Sequence, residues 1–381
     1  MRIGIITFHR AYNCGALLQA WALKTVLERM GHIAEFPILN HVGESRRWAV
    51  GWRKWPRTPW GFLDSFFRCL LYNAASIPGE DLLRIRFRRF RKCNLVERAC
   101  NIDDLSDLYD VLIVGSDQVW SSAHTGNAAS LFFGETLPVD IKKIAYAVSY
   151  GDKMISSERL RRVALAVDNF NHVSARERIV SEQLEDIAKQ NIPVTLDPTL
   201  LLERHDYQKF VMEKPKSPYL FMYTLDTDRY FVDTAKRIAA RLHIPAIIAP
   251  MYQKSRLDAP PGLTYGISPD LLVSYVANAD YVVSHSFHGT VLPIVFDKPF
   301  LSLRLERENE ECPSRVGTLL GLTGNLNRLV TPDIPIDEMV ARLTGPIAID
   351  KGDLRLQDRH QQTGCRMLCN ESCLFHSNSC L

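Results

Sequence analysis

Short apolar runs alternate along the chain with longer stretches whose apolar residues recur every three or four positions. The first pattern fits buried strands and the second fits helices packed on a sheet. Strands are predicted at 2–8, 111–115, 143–150, 172–175, 193–196, 219–224, 246–249, 281–284 and 300–303. Helices are predicted at 16–30, 158–171, 179–190, 230–242, 269–278, 290–296 and 336–343. This alternation is the signature of α/β domains with parallel sheets. A charged, Pro-bearing stretch at 203–218 interrupts it, dividing the chain into domains at 1–203 and 204–348. The remainder, 349–381, reads as a Cys-rich helical tail that packs back across the first domain. In paired domains of this kind, sites fall where strand C-termini meet the cleft between the halves.

Composition changes that picture in three places. At 381 residues the chain can fill two cores. A net charge of only +3 argues against a bulk nucleic-acid binder, yet residues 46–93 hold twelve Arg/Lys against three acids, a local +9. The same segment carries four of the six Trp (Trp48, Trp52, Trp55, Trp60) with Phe62, Phe66 and Phe67. Cations among interfacial aromatics suit an anionic bilayer or a lipid-linked acceptor, so peripheral membrane contact is one reading. A helical insertion that packs its aromatics inside is the other, and single-stranded nucleic acid, though not expected, fits the same chemistry. Of the nine cysteines, five are scattered, which suits reduced thiols in a cytoplasmic protein. The tail is different. Cys365, Cys369 and Cys373 stand at i, i+4 and i+8, followed by Cys380. Packing residues on a helix, or a metal or disulfide cluster, both remain open. No apolar run of about 18 residues is present, so no span is expected. The first apolar run, 1–8, is expected to be a buried strand and is shorter than the apolar core of a signal segment. The expected location is therefore cytoplasmic, at the inner face of the membrane if 46–93 touches it.

Candidate chemistry sits at the ends of the predicted strands. The stretch 284–300, SHSFHGTVLPIVFDKPF, places Ser286, Phe287, His288, Gly289 and Thr290 on a turn before a helix expected to start at Thr290. Hydroxyls, an imidazole and a helix N-terminus together form an anion-handling arrangement. His288 is the candidate acid/base, with a hydrogen-bonded structural histidine as the plain alternative. After the first strand, Asn13 and Gly15 either receive a ligand or simply cap the next helix. Gly115, Ser116 and Asp117 close the strand at 111–115, with capping again the plain role for Asp117. Arg176 ends another strand, where a guanidinium grips a carboxylate or phosphate, or merely pairs with Glu177. Asp197, before Pro198, reads as a turn residue more than a functional one.

Taken in order, these pieces resemble the polysaccharide pyruvyl transferase family. The matching stretches are Asn13-Cys14-Gly15-Ala16-Leu17-Leu18-Gln19-Ala20, Val114 to Trp120, Ala145–Gly151, Ser174-Ala175-Arg176-Glu177, Asp197-Pro198-Thr199, and Ser286 through Thr290 to Lys298-Pro299-Phe300. The resemblance implies an α/β fold of two Rossmann-like domains with parallel sheets in a glycosyltransferase-B-like arrangement. It implies transfer of pyruvate from phosphoenolpyruvate, as co-substrate, onto two hydroxyls of a sugar acceptor in cell-surface polysaccharide biosynthesis. It needs no metal and no other cofactor. Arg176 would hold the donor and His288 would be the acid/base, both catalytic. Asn13, Gly15, Gly115, Ser116, Asp117, Ser286, Phe287, Gly289, Thr290 and Arg315 would line the substrate cleft, with Arg304 and Arg307 as further phosphate ligands. Two other readings stand beside it. One is a glycosyltransferase of the same architecture using a sugar nucleotide; the other is a non-catalytic glycan or lipid-phosphate binding protein.

Overall fold

A computed structural model describes residues 1–39, 82–151, 157–225, 228–251, 262–304 and 314–347. Two all-parallel sheets organise them. The first contains β1 (Arg2–Ile6), β2 (Ile33–Leu39), β3 (Glu97–Cys100), β4 (Val111–Asp117), β5 (Lys142–Val148) and β6 (His172–Ala175), in the order β3-β2-β1-β4-β5-β6. The second contains β7 (Leu220–Thr224), β8 (Ala246–Pro250), β9 (Tyr281–Ser284), β10 (Phe300–Leu303) and β11 (Leu329–Val330), in the order β11-β10-β9-β7-β8. The first order is that of a doubly wound dinucleotide-type sheet, and the second is the shorter flavodoxin-type winding. Each has a switch point where the winding reverses, between β1 and β4 in one and between β7 and β9 in the other. Loops leaving the C-terminal ends there splay apart and open a crevice.

Continuous apolar runs such as Val111–Val114 and Leu220–Tyr223 are buried on both faces, which is why they read clearly in the sequence. Two strands of the first sheet escaped that reading. β2 carries Glu35 and Pro37 in its middle, and β3 is the polar edge Glu97-Arg98-Ala99-Cys100. The run at 193–196 forms only an isolated bridge, Ala175 to Val194. Pro193 has no N–H to extend a ladder, and Pro198 turns the chain away.

Helix α1 (Cys14–Arg29) is apolar nearly all round, with eleven buried residues from Cys14 to Leu27. Such a helix belongs inside a protein rather than on its surface. It packs between the sheets, so one apolar cluster runs from Ile3 and Ile5 through Leu17 and Trp21 to Phe221 and Val291. Helix α2 (82–94) falls in the cationic segment and turns Phe87 and Phe90 inward. The Trp-rich part of that segment, Trp48 to Phe67, lies outside the described residues, as do Arg307, the tail helix and the four tail cysteines. Helices α3 (Pro269–Asn278), α4 (Phe287–Val295) and α5 (Arg315–Leu322) flank the second sheet. No described helix is long and apolar enough to cross a membrane.

Candidate functional site

The first half of the site is assembled around the end of β1. Asn13 caps α1, its Oδ1 accepting from Gly15 N at 2.9 Å and Ala16 N at 3.2 Å. Gln19 is fully buried and donates to Thr7 Oγ1 at 2.8 Å, while Thr7 Oγ1 donates to the Ser116 carbonyl at 3.1 Å. These bonds lash the end of β1 to the end of β4. Ser116 Oγ donates to Ala147 O at 3.0 Å and the residue is wholly buried, so it steadies the turn and offers no surface. Gly115 has φ +120°, and a Cβ there would lie 2.2 Å from Tyr146 O. No other residue fits. The chain then takes Asp117 through φ +82°, where its carboxylate accepts from Gln118 N at 2.8 Å.

Arg176 leaves the end of β6 and enters a buried charge cluster. Its Nε donates to Glu177 Oε1 at 3.0 Å and its Nη1 to Asp197 Oδ2 at 3.0 Å, with Asp117 Oδ1 3.5 Å from the same nitrogen. The guanidinium lies over the Phe287 ring at 4.6 Å, and only 2% of the side chain is exposed. Three carboxylates thus occupy the cation that the sequence offers as a grip for substrate, and its first task is to knit three loops together. Nη2 alone makes no hydrogen bond. Burial opposes the charge on Arg176, but Glu177, Asp117 and Asp197 outweigh it and raise its proton affinity. Burial raises the Glu177 carboxyl despite Arg176 and Arg315 nearby. Burial would raise Asp197 too. There, His288, Arg176 and Thr199 prevail and hold it far below the usual carboxylate range.

The second half arrives on the loop between β9 and α4. Helix α4 starts at Phe287, three residues before the expected Thr290, because Ser286 is the cap: its Oγ accepts from Gly289 N at 2.9 Å. Ser284 Oγ donates to Tyr223 O at 2.7 Å and accepts from Ser286 N at 3.1 Å. Thr290 Oγ1 donates to Ser286 O at 3.0 Å and pairs with Ser302 Oγ at 2.9 Å. A Cβ at Gly289 would stand 2.1 Å from Ser284 Oγ, so the hydroxyl cluster demands glycine there. The earlier start places His288 in the first helical turn, aimed at the first domain. Its Nε2 comes 3.5 Å from Asp197 Oδ2 and has no hydrogen bond, while its ring lies over Gly15. A Cβ on Gly15 would sit 2.0 Å from His288 Nδ1. Gly15 therefore makes room for a protein side chain.

Asp197 is thus the point where the halves meet, its Oδ2 facing both Arg176 and His288 and its Oδ1 accepting from Thr199 N and Oγ1. The sequence marks it only as a turn residue, and no local signal exists, because its partners lie 21 and 91 residues away. Arg315 opens α5 near the Phe287 ring, 6.0 Å from its centroid. Gln118, assigned with its amide oxygen toward Arg315, accepts from Nη2 at 2.9 Å and donates to His124. Arg304 follows β10, its backbone N donating to Val330 O at 2.9 Å. Cys14 Sγ faces Ile267 O at 3.4 Å, and burial pushes the thiol up to about 12, which leaves it a packing residue.

The architecture and the seam between its halves define a two-domain, parallel-sheet α/β protein of glycosyltransferase-B-like design. Over 93% of its length it is similar to 94% of a protein from Listeria monocytogenes assigned as a UDP-N-acetylglucosamine 2-epimerase (TM-score 0.50, 9% identity). A UDP-GlcNAc 2-epimerase from Methanocaldococcus jannaschii is similar over 95% of this chain and 99% of its own (TM-score 0.49, 13% identity). A spinosyn rhamnosyltransferase is similar over 94% and 95% (TM-score 0.44, 14% identity). At these identities the likeness concerns fold alone. No curated protein matches the sequence. The family model of polysaccharide pyruvyl transferases matches residues 13–306, most of the chain and all the motifs above except Arg315 and Arg307, and the chain belongs to that family.

Proposed function

We propose that the protein transfers pyruvate from phosphoenolpyruvate to two hydroxyls of a sugar, forming a ketal and releasing phosphate. The observation that supports it most is the convergence of Arg176 and His288, from different domains, on one oxygen of Asp197. His288, when protonated, delivers its proton to C3 of the enolpyruvyl group, and C2 becomes electrophilic. One acceptor hydroxyl adds to C2, its proton passing to the site. The C2–O bond to phosphate then breaks, and the second hydroxyl closes the ring as its own proton leaves. Arg176 Nη2, the guanidinium corner without a partner, is the donor assigned to the substrate's carboxylate or phosphate. Arg315, half-buried beside Phe287, supplies further positive charge. Asp197 positions His288 and Arg176 relative to each other, and Gly15 admits the imidazole.

The test is incubation with phosphoenolpyruvate and a panel of lipid-linked and nucleotide-linked sugars, following acceptor mass and free phosphate. One ketal-bound pyruvate per acceptor, with one phosphate released, is the expected result. Nucleotide release from a sugar donor would instead make it a glycosyltransferase, and acceptor binding with no donor consumed would make it a binding protein. His288→Gln should fold normally and lose roughly 10²–10⁴-fold in turnover. Wild-type turnover in that variant would remove His288 from the chemistry.

A further inference from the structure

Helix α2 presents a surface that the cleft chemistry does not use. Its inner side is fixed in three ways: Phe87 and Phe90 enter the core, Arg86 Nη1 donates to Gly266 O at 2.7 Å, and Arg91 Nη1 reaches Arg10 O at 3.4 Å. The Phe87 ring also meets Tyr12 at 5.6 Å, in the loop that precedes Asn13. The helix therefore bridges the first domain's leading loop and the second domain's Gly266, along the seam that holds Asp197 and His288. Its outer side displays Arg84, Arg88, Arg89 and Lys92, all exposed, with no acidic residue anywhere in 82–94. No described residue pairs with any of these four. Ile85 stands among them at 63% exposure and Leu82 at 41%.

We infer that this face docks the protein on an anionic lipid bilayer. Four cations on one helical face, without partners among the described residues, are matched by the negative headgroups of such a surface, and exposed Ile85 and Leu82 are placed to enter the headgroup boundary. A single-stranded nucleic acid would call for aromatic platforms on which bases stack. The two aromatics of this helix are instead spent on the core, at 1% and 3% exposure. Because α2 touches both Arg10 and Gly266, docking would hold both halves of the seam close to the headgroup layer. The inference does not depend on which reaction the cleft performs.

The full chain would be sedimented with vesicles of phosphatidylcholine, with and without phosphatidylglycerol, across a salt series. Binding to the anionic vesicles, weakening as salt rises, is expected. Each single change among Arg84→Gln, Arg88→Gln, Arg89→Gln and Lys92→Gln should weaken partitioning by roughly fivefold, and the four together by on the order of a hundredfold. Ile85→Ser should cost a further few-fold. Arg84→Lys with Arg88→Lys and Arg89→Lys should bind as wild type, which separates charge from any damage to the fold. Unaltered partitioning of the fourfold Gln variant overturns the inference. So does equal wild-type binding to neutral vesicles, or retention of a single-stranded oligonucleotide in place of the anionic vesicles.

Discussion

Where the two halves of the site meet, a buried cluster of one guanidinium and three carboxylates faces a network of hydroxyls bearing a single imidazole. The first half (Asp117, Arg176, Glu177, Asp197) is held by charge taken out of water. The second (Ser284, Ser286, Thr290, Ser302) is held by neutral hydrogen bonds that cap a helix and brace a strand. The difference is one of energetic brittleness. A buried ion that loses its partner keeps its desolvation cost with nothing to offset it. A hydroxyl network that loses one member gives up a single bond and relaxes.

The sharpest way to break the comparison is at Asp197. Asp197→Ala takes the carboxylate away from Arg176 Nη1, leaving it only Asp117 at 3.5 Å, and from beside His288 Nε2, and should cost about 3–5 kcal/mol in chemical denaturation. A shift below about 1 kcal/mol would put the first half on the same footing as the second. Acid should expose the same asymmetry. His9, packed 5.0 Å from the Phe36 ring at the end of β1, has its imidazole pushed down to about 3, chiefly by burial with Arg10 and Arg91 adding to it. The unfolded chain takes up that proton near pH 6.5 while the folded one does not. Stability should therefore fall as pH drops from about 6.5 toward 3, by on the order of 5 kcal/mol. His9→Gln should flatten that slope in pH-dependent unfolding. It should leave a loss at lower pH from Asp197, whose depressed carboxyl stabilises above its ordinary range and stops doing so once protonated.

Gly15→Ala sharpens the comparison at the contact itself. Alanine is the better helix former by about 1 kcal/mol, but a Cβ 2.0 Å from His288 Nδ1 overpacks the seam at a cost of about 1–3 kcal/mol, so the thermal midpoint should fall slightly. The displaced His288 ring is a misplaced acid and should lower turnover roughly a hundredfold. Full activity would mean that His288 works from another position. The smallest effect belongs to the second half. Ser286→Ala removes the cap on α4 and should cost about 1 kcal/mol by thermal unfolding.

Arg176 and His288, both legible as chemistry in the sequence, come together in space. The helix carrying His288 begins three residues earlier than its apolar periodicity suggests, because its start is set by the cap that Ser286 Oγ makes by accepting from Gly289 N. Two strands of the first sheet lie outside the apolar pattern for a related reason. β2 and β3 owe their places to pairing with neighbours, which Pro37 and the polar run at 97–98 conceal.

By itself the sequence determined the α/β alternation and the residue types at the strand ends. Burial and periodicity are local properties, and neighbouring residues record them directly. Only the tertiary structure decided that Asp197 joins Arg176 to His288, and that the His288 imidazole packs over Gly15. It also decided that the cation at 176 is largely neutralised before any ligand arrives. Those outcomes depend on which loops a fold brings within a few ångströms, and a carboxylate's partners 21 and 91 residues away leave no trace in its own neighbourhood.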